Sequence, residues 1–165
     1  MITATVTGDK RLDRRLANLG KRGATRAITA GVRAGLTPVA RALRRAINAS
    51  SVSTQVKREA RKTVGKRFKR KRGSKIREAK VGFAVGKKVK KESGKKGVGI
   101  SSNNIHWFVL GTEQRSTKNG RDTGQIEDMF SGLCQQALDR SKQAAMDAAR
   151  AKISQVIKRE AKKQA

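Results

Sequence analysis

The spacing of apolar residues predicts long helices at both ends of the chain. In residues 24–48 apolar side chains recur every three or four positions, as they do along one face of an amphipathic helix. A second pattern of this kind begins at Gln125 and continues to the C-terminus, with an alanine-rich middle that suits close packing between helices. A short amphipathic helix is predicted between Asp9 and Gly20.

Pro38 interrupts the first long pattern. Proline has no backbone N–H, and its ring clashes with the preceding helical turn. We therefore expect a break or a kink near residues 35–38, with Thr37 as the N-cap if a new helix starts there. Gly31 and Gly35 lie in the same pattern, where they weaken the helix but permit another element to approach it closely.

A third helix is predicted in the basic centre of the chain. Residues 48–54 are typical of a loop that ends in an N-cap, supplied by Ser53 or Thr54. The helix would continue from Gln55 to about Phe68, where apolar residues occur only at every fourth position. Such a helix buries a narrow stripe and leaves most of its surface basic.

Strands are predicted in the second half of the chain. Residues 76–85 alternate between apolar and polar side chains, and residues 105–110 form the most strand-like apolar run. Residues 98–100 are a candidate return strand. The Lys-, Gly- and Ser-rich residues 87–97 predict a mobile loop, and residues 113–124 predict a long polar loop.

Together these elements predict an α+β fold in a single domain that spans residues 1–165. We expect a small antiparallel sheet packed with a kinked N-terminal helix and a long C-terminal helix. Residues 57–96 form a basic helix and loop segment inserted in this domain, and residues 158–165 form a basic C-terminal tail.

The charge of the chain separates it from ordinary soluble enzymes. It carries 41 lysines and arginines against 12 aspartates and glutamates, a net charge of +29. Repulsion of this size weakens the compact state unless a polyanion or an acidic partner neutralises it. Residues 57–96 alone hold 19 basic and 3 acidic residues. We therefore expect the protein to work with nucleic acid, inside a large assembly, or both.

Cysteine and histidine usage excludes several kinds of site. The single cysteine, Cys134, cannot form an intramolecular disulfide, and with the single histidine, His106, it cannot build a Cys/His zinc site. We expect neither a metal nor a cofactor. The N-terminus does not resemble a signal peptide and no apolar run is long enough to span a bilayer, so we expect a soluble, intracellular protein without membrane contact.

No catalytic group of residues emerges from the sequence. His106 lies in an apolar segment and is expected to be a packing or interface residue rather than a base. The nearby Ser101 and Ser102 lack the turn that exposes a nucleophilic serine. Glu127 and Asp128 are expected to open the C-terminal helix, where carboxylates complement the helix dipole. A non-enzymatic protein is therefore predicted.

Residues 66–72 are the main candidate site, since six of these seven residues are lysine or arginine. Such a run can neutralise several phosphates, whereas Phe68 alone provides no row of rings on which bases could stack. Contact with phosphates is therefore favoured over base readout. A solvated basic loop and a face that meets an acidic protein are the alternatives. The candidate nucleic-acid-binding residues are Lys66, Arg67, Lys69, Arg70, Lys71, Arg72 and Lys75.

The order of these elements, together with two short motifs, resembles a family of phage proteins. The first motif is the predicted strand Trp107-Phe-Val-Leu-Gly-Thr112, which is similar to a strand of that family that also ends in Gly-Thr. The second is the set of apolar positions Met129, Phe130, Leu133 and Ala137 near the start of the last helix. Both are similar to motifs in the neck proteins of long-tailed bacteriophages, the head–tail joining or tail-completion family of lambda-like phages. The similarity extends in order over residues 10–160, without the prolines that usually precede the last helix.

The resemblance implies a structural role in the virion. Proteins of this family assemble as rings, commonly hexamers, between the portal and the tail, and DNA passes through the ring. For this chain it implies a homo-oligomer in the phage neck, made in the host cytoplasm, with other neck, portal-adaptor and tail proteins as neighbours. It points to Trp107, Phe108, Gly111 and Thr112 as interface residues and to the basic segment as the part that meets DNA.

A general nucleic-acid-binding protein, either ribosome-associated or DNA-packaging, fits the composition equally well. Such a protein would be a monomer that binds RNA or DNA tightly in isolation. A neck protein would instead oligomerise on a ring template and bind DNA in a salt-sensitive manner that ignores sequence.

Overall fold

Two long helices and a β-hairpin form the framework of the protein in a computed structural model. The structure describes residues 17, 19–70, 77–85, 89, 99–116 and 122–163. Its elements are α1 (Gly20–Ala49), α2 (Thr54–Thr63), β1 (Val64–Arg70), β2 (Arg77–Phe83), α3 (Ile105–Leu110), β3 (Arg115–Ser116), β4 (Asp122–Gly124) and α4 (Leu133–Ala161). The predicted α+β class, with a small antiparallel sheet and long N- and C-terminal helices, is confirmed.

Glycines allow α1 and α4 to pack closely. A Cβ atom added at Gly31 would lie 3.0 Å from the carbonyl oxygen of Ala149, and one added at Gly35 would lie 3.0 Å from that of Ala145. Because a backbone oxygen cannot move independently of its helix, any side chain at these positions would push the two helices apart. The two glycines thus have the packing role that the sequence predicts.

Pro38 lies inside α1 without ending it. The helix continues over Gly20–Ala49, so a break near residues 35–38 is excluded. Packing of α1 against α4 and against both strands of the hairpin compensates for the hydrogen bond that proline removes. Thr37 does not cap a new helix, and its hydroxyl accepts a hydrogen bond from Lys66.

The basic centre of the chain differs from the prediction. Ser53 caps α2 as expected, and its hydroxyl accepts a hydrogen bond from the backbone N–H of Val56. The helix ends at Thr63, however, and does not reach Phe68. Val64–Arg70 is instead a strand, paired antiparallel with β2 from Val64 opposite Phe83 to Arg70 opposite Arg77.

Side-chain alternation explains why β1 is a strand despite its lysines and arginines, which favour helices. Val64 is buried, and Phe68 packs beneath Arg33 of α1, whereas Arg67 between them is exposed. A helix would also place these two residues on one face, but only a strand can pair with β2 along its whole length, as Val64–Arg70 does. Tertiary packing therefore overrides the local helix propensity.

Residues 105–110 form the helix α3 instead of the predicted strand. Ile105 and Phe108, three residues apart, are the buried positions of this short helix. The backbone N–H of Ile105 donates to the carbonyl of Ser101 at 3.0 Å, which starts the helical turn. The carbonyl of Phe108 accepts a hydrogen bond from the backbone N–H of Phe130 at 3.1 Å. This carbonyl therefore has a partner without pairing in a sheet.

The connecting segments agree with the sequence only in part. The short helix predicted in residues 9–20 and the loop predicted in residues 87–97 lie largely outside the described residues. Residues 99–100 are irregular rather than a return strand. Within the predicted loop 113–124, β3 pairs with β4 in a short antiparallel ladder.

The main core lies where α1, α2, α3 and the hairpin meet. Its largest fully buried apolar side chains are Phe130, Leu43, Ile47 and Ile105. The rings of Phe83 and Phe130 stack with their centroids 5.7 Å apart, which joins β2 to the segment that precedes α4. A buried carboxylate completes this region. Glu59 of α2 accepts a hydrogen bond from the backbone N–H of Ile100 at 2.7 Å.

The last helix begins later than predicted. α4 starts at Leu133 rather than at Gln125, so Glu127 and Asp128 lie before the helix and not in its first turn. At its other end α4 continues to Ala161, so the predicted basic tail begins inside the helix.

Glu160 connects the C-terminal end of α4 to the N-terminal part of α1. Its Oε2 atom lies 3.4 Å from Nη1 of Arg26, and its Oε1 atom lies 3.5 Å from Nζ of Lys163. Burial raises the pKa of this carboxyl. The positive charges of Lys163, Arg26 and Arg159 lower the pKa by more than burial raises it, so the pKa is below its ordinary value.

Replacing Glu160 with glutamine should lower the thermal midpoint at neutral pH, because the surrounding cations stabilise the ionised carboxylate. Since the folded-state pKa is depressed, this contribution is present above the unfolded-state pKa and is lost as the pH falls through the folded-state value. Thermal melts of both proteins across that range check the prediction, with the exposed Glu113→Gln as the control. A difference between wild type and Glu160→Gln that stays constant with pH would contradict it.

Candidate nucleic-acid interface

The hairpin presents two different faces, because successive side chains of a strand point to opposite sides. On one face, Val81 of β2 lines an apolar groove together with Leu36 and Leu43 of α1. On the other face, Arg67 of β1 pairs in register with Lys80 of β2. We call this second side the outer hairpin face (Arg67 and Lys80). The strand therefore divides the basic run between two faces and does not present it as one site.

Lys66 and two arginines of α1 form a row along the border between α1 and β1. The guanidinium carbon of Arg33 lies 5.2 Å from the centroid of the Phe68 ring. Nζ of Lys66 donates to the hydroxyl of Thr37 at 3.2 Å, and Nη2 of Arg44 donates to the first backbone carbonyl of β1 at 2.8 Å. Since α1 and β1 run in opposite directions here, these contacts follow one another along α1.

We call Arg33, Arg44 and Lys66 the α1–β1 seam. All three side chains are exposed. At ~1.5 Å per residue, the two arginines lie about 17 Å apart along the helix axis. Each strand of a DNA duplex carries about one phosphate per 3.4 Å, so the seam is as long as about five phosphates of one strand.

The seam contacts hold the cations in place and leave them able to bind an anion. Arginine has five N–H donors, of which Arg44 uses one in the hydrogen bond to β1. Arg33 is held through the face of an aromatic ring, which leaves the edge of its guanidinium available. Because these side chains are already restricted, binding a phosphate costs less conformational entropy than binding it with free side chains.

The structure brings together only part of the predicted phosphate-binding set. Lys66 belongs to the seam, and Arg67 belongs to the outer hairpin face. Lys69 and Arg70 lie at the end of β1. The remaining predicted residues lie outside the described part of the chain: Lys71, Arg72 and Lys75.

Arg33 and Arg44 are the residues that the sequence prediction misses. Both lie off the apolar face of a predicted helix, where arginines are usually only solvated. Their alignment with Lys66 depends on how α1 packs against β1, which joins residues far apart in the chain. The spacing of Val64 and Phe68 fits one face of a strand as well as one face of a helix, so the sequence does not indicate that Lys66 faces α1.

The four residues assigned to an oligomer interface have different environments. Trp107 is partly exposed, and the ring of His106 meets it edge-on at a centroid distance of 5.4 Å. Phe108 is buried in the core. Of the two aromatic residues, only Trp107 is thus placed where it can contact another molecule.

Gly111 and Thr112 hold the chain after α3 against residues 126–128. Gly111 has a φ of +73°, and a Cβ atom there would lie 3.4 Å from the backbone nitrogen of Asp128. The N–H of Thr112 donates to the carbonyl of Ile126 at 2.8 Å, and its hydroxyl accepts from the N–H of Ile126 at 3.0 Å. These contacts within the chain are sufficient to explain why position 111 is a glycine and position 112 a threonine.

The remaining reactive side chains are placed in structural roles. The hydroxyl of Ser101 donates to the side-chain oxygen of Asn104, next to the start of α3. Cys134 is half-buried beside an apolar groove, and its burial raises the pKa of the thiol despite a hydrogen bond with the backbone of Phe83. The residues that the structure describes include no group of three His, Cys, Asp or Glu side chains that could hold a metal ion.

Comparison of the chain with protein-family models, with curated protein sequences and with solved structures finds no match. Across the described ranges, no helix is long and apolar enough to cross a membrane.

Proposed function

We propose that this protein is a non-enzymatic structural subunit of the neck of a long-tailed bacteriophage. It forms a ring, a hexamer by the family resemblance, at the head–tail junction, and it contacts the DNA that passes through the ring. Neck, portal-adaptor and tail proteins are its neighbours in the virion, and it is made in the host cytoplasm.

The α1–β1 seam is the observation that supports this proposal best. Three exposed cations lie in a row that matches the length of a DNA backbone segment, and each is anchored to the neighbouring element. Arg33 covers one face of Phe68, the aromatic ring of the basic run, so no base can stack on that face. The seam thus suits contact with phosphates, which is what a channel for DNA of any sequence requires.

Replacing the seam with neutral side chains in Arg33→Gln/Arg44→Gln/Lys66→Gln should weaken binding to duplex DNA roughly a hundredfold at about 0.15 M salt. The slope of log K against log salt should fall by about 3, because about one counterion is released per phosphate contact. The measurement is fluorescence anisotropy with two duplexes of unrelated sequence at several salt concentrations. Both duplexes should lose the same affinity.

A matched control removes the same charge elsewhere. Arg140→Gln/Lys142→Gln/Arg150→Gln neutralises three exposed residues of α4 and should change the slope much less. Equal slopes for the two triple variants would mean that DNA responds to net charge alone, and the seam would not be the binding site. Circular dichroism of both variants verifies that the fold is retained.

The place of the protein in the virion is tested separately. Immunogold electron microscopy of phage particles should label the junction between capsid and tail. Label elsewhere, together with a monomer that binds RNA or DNA tightly, would overturn the neck proposal and favour the general nucleic-acid-binding protein.

A further inference from the structure

Three arginines of α1 recur with a constant spacing. Arg22, Arg33 and Arg44 are eleven residues apart from one to the next. Eleven residues make about three helical turns with a drift of about 20°, so residues with this spacing lie on one face of a helix. Two of these arginines already belong to the α1–β1 seam. The same face therefore continues beyond the seam to Arg22, near the N-terminal end of α1.

We call Arg22, Arg33 and Arg44 the α1 arginine row. Each of the three side chains is exposed. The helix that carries them contains seven basic residues and no acidic residue. In the described ranges no ion pair involves a member of the row. Arg26 lies on the same face but differs from the row, because Oε2 of Glu160 is 3.4 Å from its Nη1 atom.

The strand β1 keeps the second half of the row in line. Pro38 lies between Arg33 and Arg44, and a proline can bend a helix. Both arginines contact the same strand, however. Arg33 lies over the ring of Phe68, and Arg44 donates to the carbonyl of Val64. Because a β-strand is an extended segment, these two contacts fix the direction from one arginine to the next.

The row is as long as one turn of duplex DNA. At ~1.5 Å per residue, Arg22 and Arg44 lie about 33 Å apart along the axis of α1. One turn of B-form DNA, about 10–10.5 base pairs, rises about 34–36 Å. A line parallel to the duplex axis meets the same strand again after one turn and crosses the other strand once in between. Arg22 and Arg44 therefore fit phosphates of one strand, and Arg33, midway, fits the crossing strand.

We propose that the α1 arginine row recognises the duplex form of DNA. In this arrangement α1 lies along the duplex axis and contacts phosphates of both strands over one helical turn. The inference rests on the DNA binding in the proposed function, and it names the form of DNA and the direction of α1 on it. In the proposed ring, α1 is then parallel to the channel.

Rigidity is the reason why the row distinguishes a duplex from a single strand. One helix sets the spacing of all three arginines before DNA binds. A duplex also has its phosphates at fixed positions, so neither partner loses much conformational freedom when they meet. A single strand has to give up that freedom to match the row, and it can equally follow cations elsewhere on the protein.

The test compares DNA hairpins with stems of about 6 and about 14 base pairs, which are shorter and longer than one turn. Binding to the full-length protein is measured by fluorescence anisotropy at several salt concentrations. Arg22→Gln should weaken binding to the longer stem about fivefold at about 0.15 M salt and lower the salt slope by about 1. It should leave binding to the shorter stem unchanged, because that stem cannot reach Arg22 while it occupies the seam.

A matched control and a relocated charge show whether position or net charge matters. Arg45→Gln removes an exposed arginine of the same helix, about 100° around the axis from Arg44, and should lose less than about twofold. Arg22→Gln/Ile28→Arg keeps the net charge but moves the cation about 120° around the helix, to an exposed position. This variant should bind the longer stem as weakly as Arg22→Gln, with circular dichroism as the check on folding. Wild-type affinity of the relocated variant, or equal losses for Arg22→Gln and Arg45→Gln, would overturn the row.

A single strand with as many phosphates as the longer stem tests the preference for a duplex. On this strand Arg22→Gln and Arg45→Gln should cause equal losses, because a flexible strand follows either arginine. The same difference between the two variants on the single strand as on the duplex would contradict recognition of the duplex form.

The outcome is separable from that of the proposed function. If Arg22→Gln has no effect while seam-dependent DNA binding and labelling of the neck persist, the α1 arginine row is wrong and the neck proposal stands. If the neck is not labelled while the loss in Arg22→Gln depends on stem length as described, the neck proposal is wrong and the row stands.

Discussion

Replacing Phe130 with alanine should lower the free energy of unfolding by about 3–5 kcal/mol, the range for removing a fully buried phenylalanine. Its side chain is 1% exposed, and its ring stacks on Phe83 of the hairpin. The ring therefore joins β2, α3 and the start of α4 in one core. A domain of ordinary stability has about 5–15 kcal/mol in total, so this variant should lose a large share of its stability.

Urea denaturation followed by circular dichroism measures this effect. Leu110→Ala is the matched control, because Leu110 is 77% exposed and its truncation should change stability by no more than about 0.5 kcal/mol. A loss below about 1 kcal/mol for Phe130→Ala would mean that the ring does not occupy the core position described above.

Replacing Gly31 with leucine should lower the free energy of unfolding by about 3 kcal/mol, at the upper end of the usual cost of overpacking. The side chain of Ile153 already occupies the space in which a Cβ atom at this position would lie, and the carbonyl oxygen of Ala149 is 3.0 Å from it. The long helices would have to separate, which weakens the packing that holds the N- and C-terminal parts of the chain together.

A second substitution tests whether this collision is the cause. Ile153→Ala should be destabilising in wild type by about 2–5 kcal/mol, because Ile153 is buried. In the Gly31→Leu background the same change should be stabilising, since it provides room for the new side chain. Additive effects in the double variant, measured by urea denaturation, would show that Gly31 and Ile153 do not meet.

The two long helices and the strand β2 could be predicted because their patterns are long or unambiguous. In α1 and α4 the apolar period extends over several turns, and a single proline in α1 does not outweigh packing along the whole helix. The cap at Ser53 could be predicted because a short hydroxyl side chain before a helix satisfies a free backbone N–H locally. The apolar periods and the cap are local features, whereas the continuity of α1 through Pro38 depends on packing against α4 and the hairpin.

β1 and α3 could not be predicted because their patterns are short. The apolar residues Val64 and Phe68 fit both a helical stripe and one face of a strand, and lysine and arginine favour the helix. The apolar run of α3 contains side chains typical of strands. It is nevertheless a helix, in which Ile105 and Phe108 are buried on one side and the carbonyl of Phe108 accepts a hydrogen bond from Phe130. In both cases a contact with a distant segment selects the conformation.

The candidate site divides in the same way. The sequence by itself determined the net charge, its concentration in residues 57–96 and the acidic character of residues 97–139, because charge is a property of composition. It also determined the long helices, whose period is local. Only the tertiary structure decided that Lys66 faces α1 while Arg67 faces away, and that Arg33 and Arg44 join Lys66 in one row. These placements depend on strand pairing and on packing between α1 and β1. They bring together residues that are 20 to 35 positions apart in the chain, whose mutual distance no local pattern encodes.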